Sequence, residues 1–198
     1  MHVMTKRRWI LLVAVLGVLL AGCARASFRG TELNPAKPVP DITLTNTQGQ
    51  PVRLQDFRGD VVLLFFGYTH CPDVCPTTLA TWKHVAEQLG ADAVHVHFLF
   101  ITVDPERDTP EQLRNHLALF NPDFIGLTGT AEQLDAAYRF FGIFHQKEEA
   151  PNSAAGYLVS HTASTFALDK HGKWRLRWSF ATPPEDIVHD VRLLLKQK

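Results

Sequence analysis

From about residue 40 onward the chain alternates between two hydrophobic patterns. Val61 to Phe66 is an unbroken apolar run, the signature of a strand buried on both faces, and Val94 to Val103 predicts a second strand. Leu79, Trp82, Ala86 and Leu89 recur at spacings of three and four, so a helix opens near Cys75 with these residues on one face. Leu134, Ala137, Tyr138 and Phe141 mark another helix, and Ile187, Val188, Val191 and Leu194 a last one. Ile42–Leu44 and Val52–Leu54 flank Gln48-Gly49-Gln50 as a hairpin. Phe124–Leu127 is a short strand, and Thr165–Leu168 and Trp174–Phe180 form a hairpin across Asp169–Gly172. Thr109-Pro110-Glu111-Gln112, Thr130-Ala131-Glu132-Gln133 and Thr182-Pro183-Pro184-Glu185 carry helix-start signals. Residues 145–157 lack either pattern and are expected to be an exposed loop. The order is hairpin, β, α, β, α, β, α, β, β, α. It predicts an α/β layer fold with a mixed central sheet, flanking helices and an added N-terminal β-hairpin.

The first residues follow a different logic. Lys6, Arg7 and Arg8 precede an apolar run from Trp9 to Ala21, which ends in Leu20-Ala21-Gly22-Cys23. The run is shorter than the ~18 residues a spanning helix needs and fits a secretory leader. Its end resembles a bacterial lipobox, which implies cleavage before Cys23 and lipid on the Cys23 thiol. The division expected is a signal peptide at 1–22, a membrane-proximal linker at 23–37 and one domain at 38–198. Gly30, Pro35 and Pro38 break up the linker segment. The exported, lipid-anchored protein would face the periplasm or the cell exterior.

Composition narrows the class further. The 198 residues carry 20 Lys and Arg against 20 Asp and Glu. Losing the leader removes three cations and no acid, which leaves a formal charge of −3. Such a balance excludes the basic footprint of a nucleic-acid binder. Thirteen Phe and four Trp supply a core, while three cysteines are too few for a disulfide scaffold.

The chemistry gathers at Cys71-Pro72-Asp73-Val74-Cys75-Pro76, directly after the buried strand and at the start of a helix. Ligands of open α/β sheets collect at the carboxyl ends of strands, and a helix start lowers a thiol's pKa. Two thiols there can form a disulfide or clamp a soft metal ion. A merely stabilising disulfide would close too short a loop to restrict the unfolded chain much. Ten histidines compete to be a third ligand. His95 and His97 read as solvated strand residues, His84, His116, His171 and His189 as surface positions, and His70 as a neighbour that could tune Cys71. His161, just before the strand at Thr165, is the distant candidate. Asp104–Pro110 reads as a strand end and a helix start; the alternative is that this loop borders the metal site.

These motifs, with Asp56-Phe57-Arg58-Gly59, Phe65 to Thr78, Val103 to Pro110 and His161-Thr162, make the chain resemble the Sco/SenC family of copper-binding proteins, with a thioredoxin-like fold. The resemblance runs from about Pro38 to the last helix. It implies that Cys71, Cys75 and His161 bind one copper ion, as Cu(I), Cu(II) or both, and that the protein assists the dinuclear copper site of cytochrome c oxidase. Implied partners are the oxidase subunit that carries that site, an upstream periplasmic copper donor, and a membrane, the inner one favoured by an oxidase partner. One departure is Ser160, where many members have Asp, which bears on Cu(II) affinity.

Two thiolates and an imidazole suit Cu(I) and leave room for an incoming thiolate. The competing reading is a thiol–disulfide oxidoreductase using Cys71 and Cys75 on the oxidase cysteines. Against general reductase work, the cysteine spacing is one residue longer than Cys-x-x-Cys, and Val159–Thr162 contains no proline. A peroxiredoxin fits worse, since Tyr68 and Pro72 fill its Pro and Thr positions.

Overall fold

The computed structural model describes residues 27–150 and 156–197. The leader and Cys23 lie outside the described residues. No helix among those described is long and apolar enough to cross a membrane.

Among the described residues, ten strands form two sheets. They are β1 (Thr31–Pro38), β2 (Thr43–Asn46), β3 (Pro51–Arg53), β4 (Val61–Gly67), β5 (Val96–Thr102), β6 (Ile125–Thr128), β7 (His145–Glu149), β8 (Tyr157–His161), β9 (Ser164–Leu168) and β10 (Lys173–Ser179). Four described α-helices accompany them: α1 (Val74–Leu89), α2 (Pro110–Ala118), α3 (Ala131–Phe141) and α4 (Pro184–Lys196). The main sheet runs β1-β10-β9-β4-β5-β6-β2-β3, and β7 pairs with β8 in a separate ribbon. β4, β5 and β6 are parallel, joined by α-helical crossovers, and the outer strands are antiparallel. This is the mixed α/β architecture expected, with the predicted β2–β3 hairpin at one edge.

Every residue of β4 is buried. The reason is period-two alternation: neighbours Phe65 and Phe66 point to opposite faces, and both faces are covered. On one side Phe65 meets Trp82 of α1, and Trp178 reaches Asp190 of α4. Leu113 and Leu117 of α2 cover Gly126 on that same side. On the other, Phe66 packs on Tyr138 and Phe141 of α3 and on Phe166 of β9. Each such fully buried aromatic or aliphatic side chain contributes roughly 1.5–3 kcal/mol.

Several expectations change in detail. Residues 145–157, expected as a loop, include β7 and the start of β8, an antiparallel ribbon with His145 opposite His161. Thr31–Pro38, expected as linker, is an edge strand on β10. Thr182 does not cap α4; its hydroxyl donates to the Ser179 carbonyl at 2.8 Å, and Pro183 holds the cap position. Thr130 does form the full capping box with Gln133, whereas Thr109 only accepts from Gln112 N–H.

Candidate metal centre

β4 delivers the chain to Tyr68, and α1 begins six residues later. Asp73 occupies the N-cap of α1 but its side chain caps nothing. The first-turn N–H of Cys75 is instead directed at Cys71 Sγ, 3.4 Å away. A sulfur therefore takes the place of the usual capping oxygen, at the positive end of the helix. Cys75 is fully buried and Cys71 half-buried, and both are free thiols.

Gly67 explains how a sulfur fits below the loop. A Cβ at that position would lie 2.8 Å from Cys75 Sγ and 2.7 Å from the Phe65 ring, closer than packed atoms tolerate.

His161 arrives from the far end of β8. Its Nε2 lies 3.6 Å from Cys75 Sγ. Its Nδ1 lies 3.2 Å from the Thr162 carbonyl, a group that only accepts, so Nδ1 carries the proton and Nε2 presents its lone pair. The rings of Phe65 and Tyr68 hold the imidazole edge-on, each 5.8 Å between centroids. The donor atoms of Cys71, Cys75 and His161 all lie within 4.8 Å of one another. Among the described residues these three form the group able to hold a metal ion.

The two thiols are electrostatically unequal. Hydrogen bonding from the Cys75 thiol brings Cys71 down to about 3; burial opposes this, and the N–H groups of Asp73 and Cys75 reinforce it. Burial first, and then the neighbouring Cys71 sulfur, push Cys75 strongly up. One proton thus stays on the inner sulfur while the outer one is a thiolate.

The Asp104–Asp108 loop borders this site, which corrects its reading as only a strand end. Buried Asp104 accepts from Arg107 Nε at 2.5 Å and from the Tyr157 hydroxyl at 2.8 Å. Arg107 donates to the Tyr157 carbonyl at 3.1 Å and lies 3.5 Å over the Tyr157 ring. This latch ties the β7–β8 ribbon, and so His161, to the end of β5. Tyr68 adds a second tie, its hydroxyl accepting from Val159 N–H at 3.2 Å. Asp108, fully buried, accepts from the Thr69 backbone and hydroxyl and from the Thr102 hydroxyl, which fixes the start of the cysteine loop. Burial raises the Asp108 carboxyl despite those bonds.

Other histidines stay apart from the sulfurs. His70 bonds to the Thr69 hydroxyl at 3.0 Å and sits exposed. His95 and His97, expected to be merely solvated, share the Asp60 carboxylate at 3.1 and 3.0 Å. His116 is not on the surface; it is half-buried against Phe100 and Phe120, and burial lowers its pKa. Ser160 gives its hydroxyl to Glu148 across the ribbon.

Fold and site together define a thioredoxin-like domain with a dithiol and an imidazole at the carboxyl end of its central strand. The SCO1/SenC family description matches residues 31–196, and the chain belongs to that family. Apo Sco1 from Thermus thermophilus is 44% identical, with a TM-score of 0.76 over 87% of this chain and 100% of its own. Bradyrhizobium japonicum ScoI, solved with copper bound, is 34% identical, with a TM-score of 0.72 over 80% of this chain and 99% of its own. BsSco, described as a member of the Sco family of cytochrome c oxidase assembly proteins and as having a disulfide switch, is 26% identical, with a TM-score of 0.65 over 85% of this chain and 98% of its own.

Proposed function

We propose that the chain is a copper metallochaperone that holds one copper ion through Cys71, Cys75 and His161 and assists assembly of the dinuclear copper site of cytochrome c oxidase. The observation that carries this is the convergence of two sulfurs and one oriented imidazole nitrogen within 4.8 Å. The donor set is soft enough for Cu(I), and it accommodates Cu(II) with an added oxygen ligand. Three protein donors leave a position for an acceptor thiolate, so copper can pass by stepwise ligand exchange. Metal entry displaces the proton held on Cys75, and the already ionised Cys71 makes the first sulfur bond. The copper-bound relative and the oxidase-assembly relative support this direction of the reading.

The anchor belongs to the same proposal: Cys23 is lipidated and the domain faces the periplasm, at the inner membrane where an oxidase partner lies. Metabolic labelling with palmitate, present on the parent chain and absent from Cys23→Ala, tests that part.

One observation favours a second reading. The Cys71 thiolate beside a protonated Cys75 is arranged for thiol–disulfide exchange. Cys71 would attack a sulfur of the oxidase's disulfide, releasing a thiolate. Cys75 would then give up its proton and close a Cys71–Cys75 disulfide, leaving the partner reduced. Anaerobic Cu(I) titration of the reduced exported chain, with bathocuproine competition, separates the two. One tight equivalent, lost in Cys71→Ala and Cys75→Ala and weakened in His161→Ala, supports the chaperone. No tight equivalent, with disulfide turnover retained, supports the reductase.

A further inference from the structure

The end of the domain opposite the metal site carries a charge pattern that copper chemistry does not use. α4 ends there at Lys196, between two adjoining depressions. Lys170, Arg192 and Asp92 line one, and Arg175 and Glu32 the other, with Lys196 common to both. Asp92 pairs with Arg192 at 3.8 Å and Glu32 with Arg175 at 2.7 Å, and Lys170 donates to the Leu195 carbonyl, so the four cations still outnumber the two acids on a chain that is net negative once exported. Gly59 lines the first depression just before β4, and Cys71 lies just beyond the other end of β4. Seven extended residues separate the two ends by roughly 20 Å.

The start of the described chain is fastened along the first half of α4, and Ser27 and Phe28 lead from there to this end. Asp190 of α4, fully buried, accepts from Arg29 N–H at 2.9 Å, Gly30 N–H at 2.7 Å and Trp178 Nε1 at 3.0 Å. The Arg29 guanidinium pairs with Asp186 at 2.6 Å. A Cβ on Gly30 would meet Trp178 Nε1 at 2.5 Å, so only glycine lets the chain lie this close. Ser27 and Phe28 then line the second depression beside Lys196. The step from Cys23 to Ser27 spans at most about 14 Å of extended chain.

We infer that this end of the domain is a membrane-contact surface, on which Lys170, Arg175, Arg192 and Lys196 meet the phosphates of anionic phospholipids while the dithiol–imidazole site faces away from the bilayer. The orientation rests on the lipid-anchor reading; the basic surface does not. Cations on such a surface act additively with a single anchor and are screened by salt.

The test uses the exported chain with Cys23→Ser, which carries no lipid, sedimented with vesicles at low salt. The expected result is binding to phosphatidylcholine vesicles containing phosphatidylglycerol and none to phosphatidylcholine alone. Arg192→Glu with Lys196→Glu reduces binding by roughly tenfold or more. Lys147→Glu with Arg114→Glu changes the net charge equally, away from this surface, and leaves binding in place. Lys196→Glu alone, at an exposed helix end, gives an intermediate loss if the double variant folds poorly, and Cu(I) stoichiometry reports folding. Absence of binding to the anionic vesicles, or equal loss in both double variants, overturns the surface. Anionic-vesicle binding without palmitate labelling of Cys23 supports the surface and removes the anchor alone.

Discussion

Each end of β4 sets imidazole beside acidic groups, one ring at the carboxyl end and two at the amino end, and the two ends do different things with it. At the carboxyl end Cys71, Cys75 and His161 converge; at the amino end Asp60 lies between His95 and His97. The separations are similar, 3.6 Å for His161 to Cys75 and 3.0–3.1 Å for the Asp60 pair. What differs is the environment and the satisfaction of the groups. Both Asp60 oxygens already have an imidazole partner, and the carboxylate is 30% exposed, so the cluster is a completed hydrogen-bond network. The sulfurs are large, weak acceptors, Cys75 is fully buried, and His161 aims a lone pair rather than a proton at them. The same residue type is a lid on a carboxylate at one end and a ligand-in-waiting at the other.

The largest effect expected is loss of the sulfurs. Cys71→Ala and Cys75→Ala should each lower Cu(I) affinity by more than the ~100-fold upper range for a supporting residue, read by bathocuproine competition. Affinity within tenfold of the parent in either variant would place the copper elsewhere. The pair should also separate in alkylation kinetics. With Cys71 near 3, its rate toward iodoacetamide should be almost flat between about pH 5 and 8, where an ordinary thiol's rises about tenfold per unit. Cys75, with its pKa pushed up, should stay unmodified over that range. Stability of the reduced chain follows the same signs. The depressed Cys71 stabilises the fold above the unfolded thiol's pKa, and this contribution is lost as pH falls toward 3. The raised Cys75 contributes below the unfolded pKa and costs stability as pH rises through about 8.5.

His161→Ala should weaken Cu(I) by about 10–100-fold, a loss of the size seen for residues that orient or complete a metal site. His95→Ala with His97→Ala should leave copper affinity unchanged, which is the sharpest check on the contrast between the two ends. A loss of affinity in that double variant would mean that the ends are coupled.

The sequence made the β4 pattern and the cysteine turn legible because burial on both faces leaves a continuous apolar run, and because proline and cysteine punctuate the turn. It did not reveal β7. His145-Gln146-Lys147-Glu148-Glu149 is exposed along its whole length, and a strand without a buried face has no hydrophobic period to read. β1 escaped for the same reason, with Pro35 and Pro38 suggesting a linker. His161 was set apart from nine other histidines by its place just before a strand, but only family resemblance made it a ligand, since Cys75 is 86 residues away. The latch was half visible. Four charged residues between Val103 and Thr109, at the carboxyl end of a buried strand, were a signal that ordinary helix capping did not need.

That latch gives the next prediction in size. Tyr157→Phe removes one hydroxyl bond to the buried Asp104 carboxylate and keeps the ring under Arg107. A hydrogen bond to a charged group is worth about 1.5–3 kcal/mol, and only the part that positions His161 reaches the metal. Cu(I) affinity should fall by at most about tenfold. The dependence on His161 should fall with it, so that adding His161→Ala costs less than it does in the parent. Additive losses would mean that the ribbon holds His161 without the latch.

The smallest effect belongs to the other end. Burial raises the Asp60 carboxyl, but hydrogen bonds from His97 and His95 outweigh it, and the net direction is down. A carboxyl depressed in the folded state contributes stability above its unfolded pKa of about 3.9, and loses that contribution as pH falls through the folded value. Its partial exposure limits the size to the range of surface pairs, at most about 1 kcal/mol. Asp60→Asn should therefore be slightly less stable than the parent in urea at pH 6. The difference should shrink toward zero below pH 3, with Cu(I) affinity unaffected at any pH. A gap that widened on acidification would reverse the sign assigned to Asp60. A change in copper affinity would mean that the amino-terminal cluster reaches across the sheet to the sulfurs, and the two ends of β4 would then be one site.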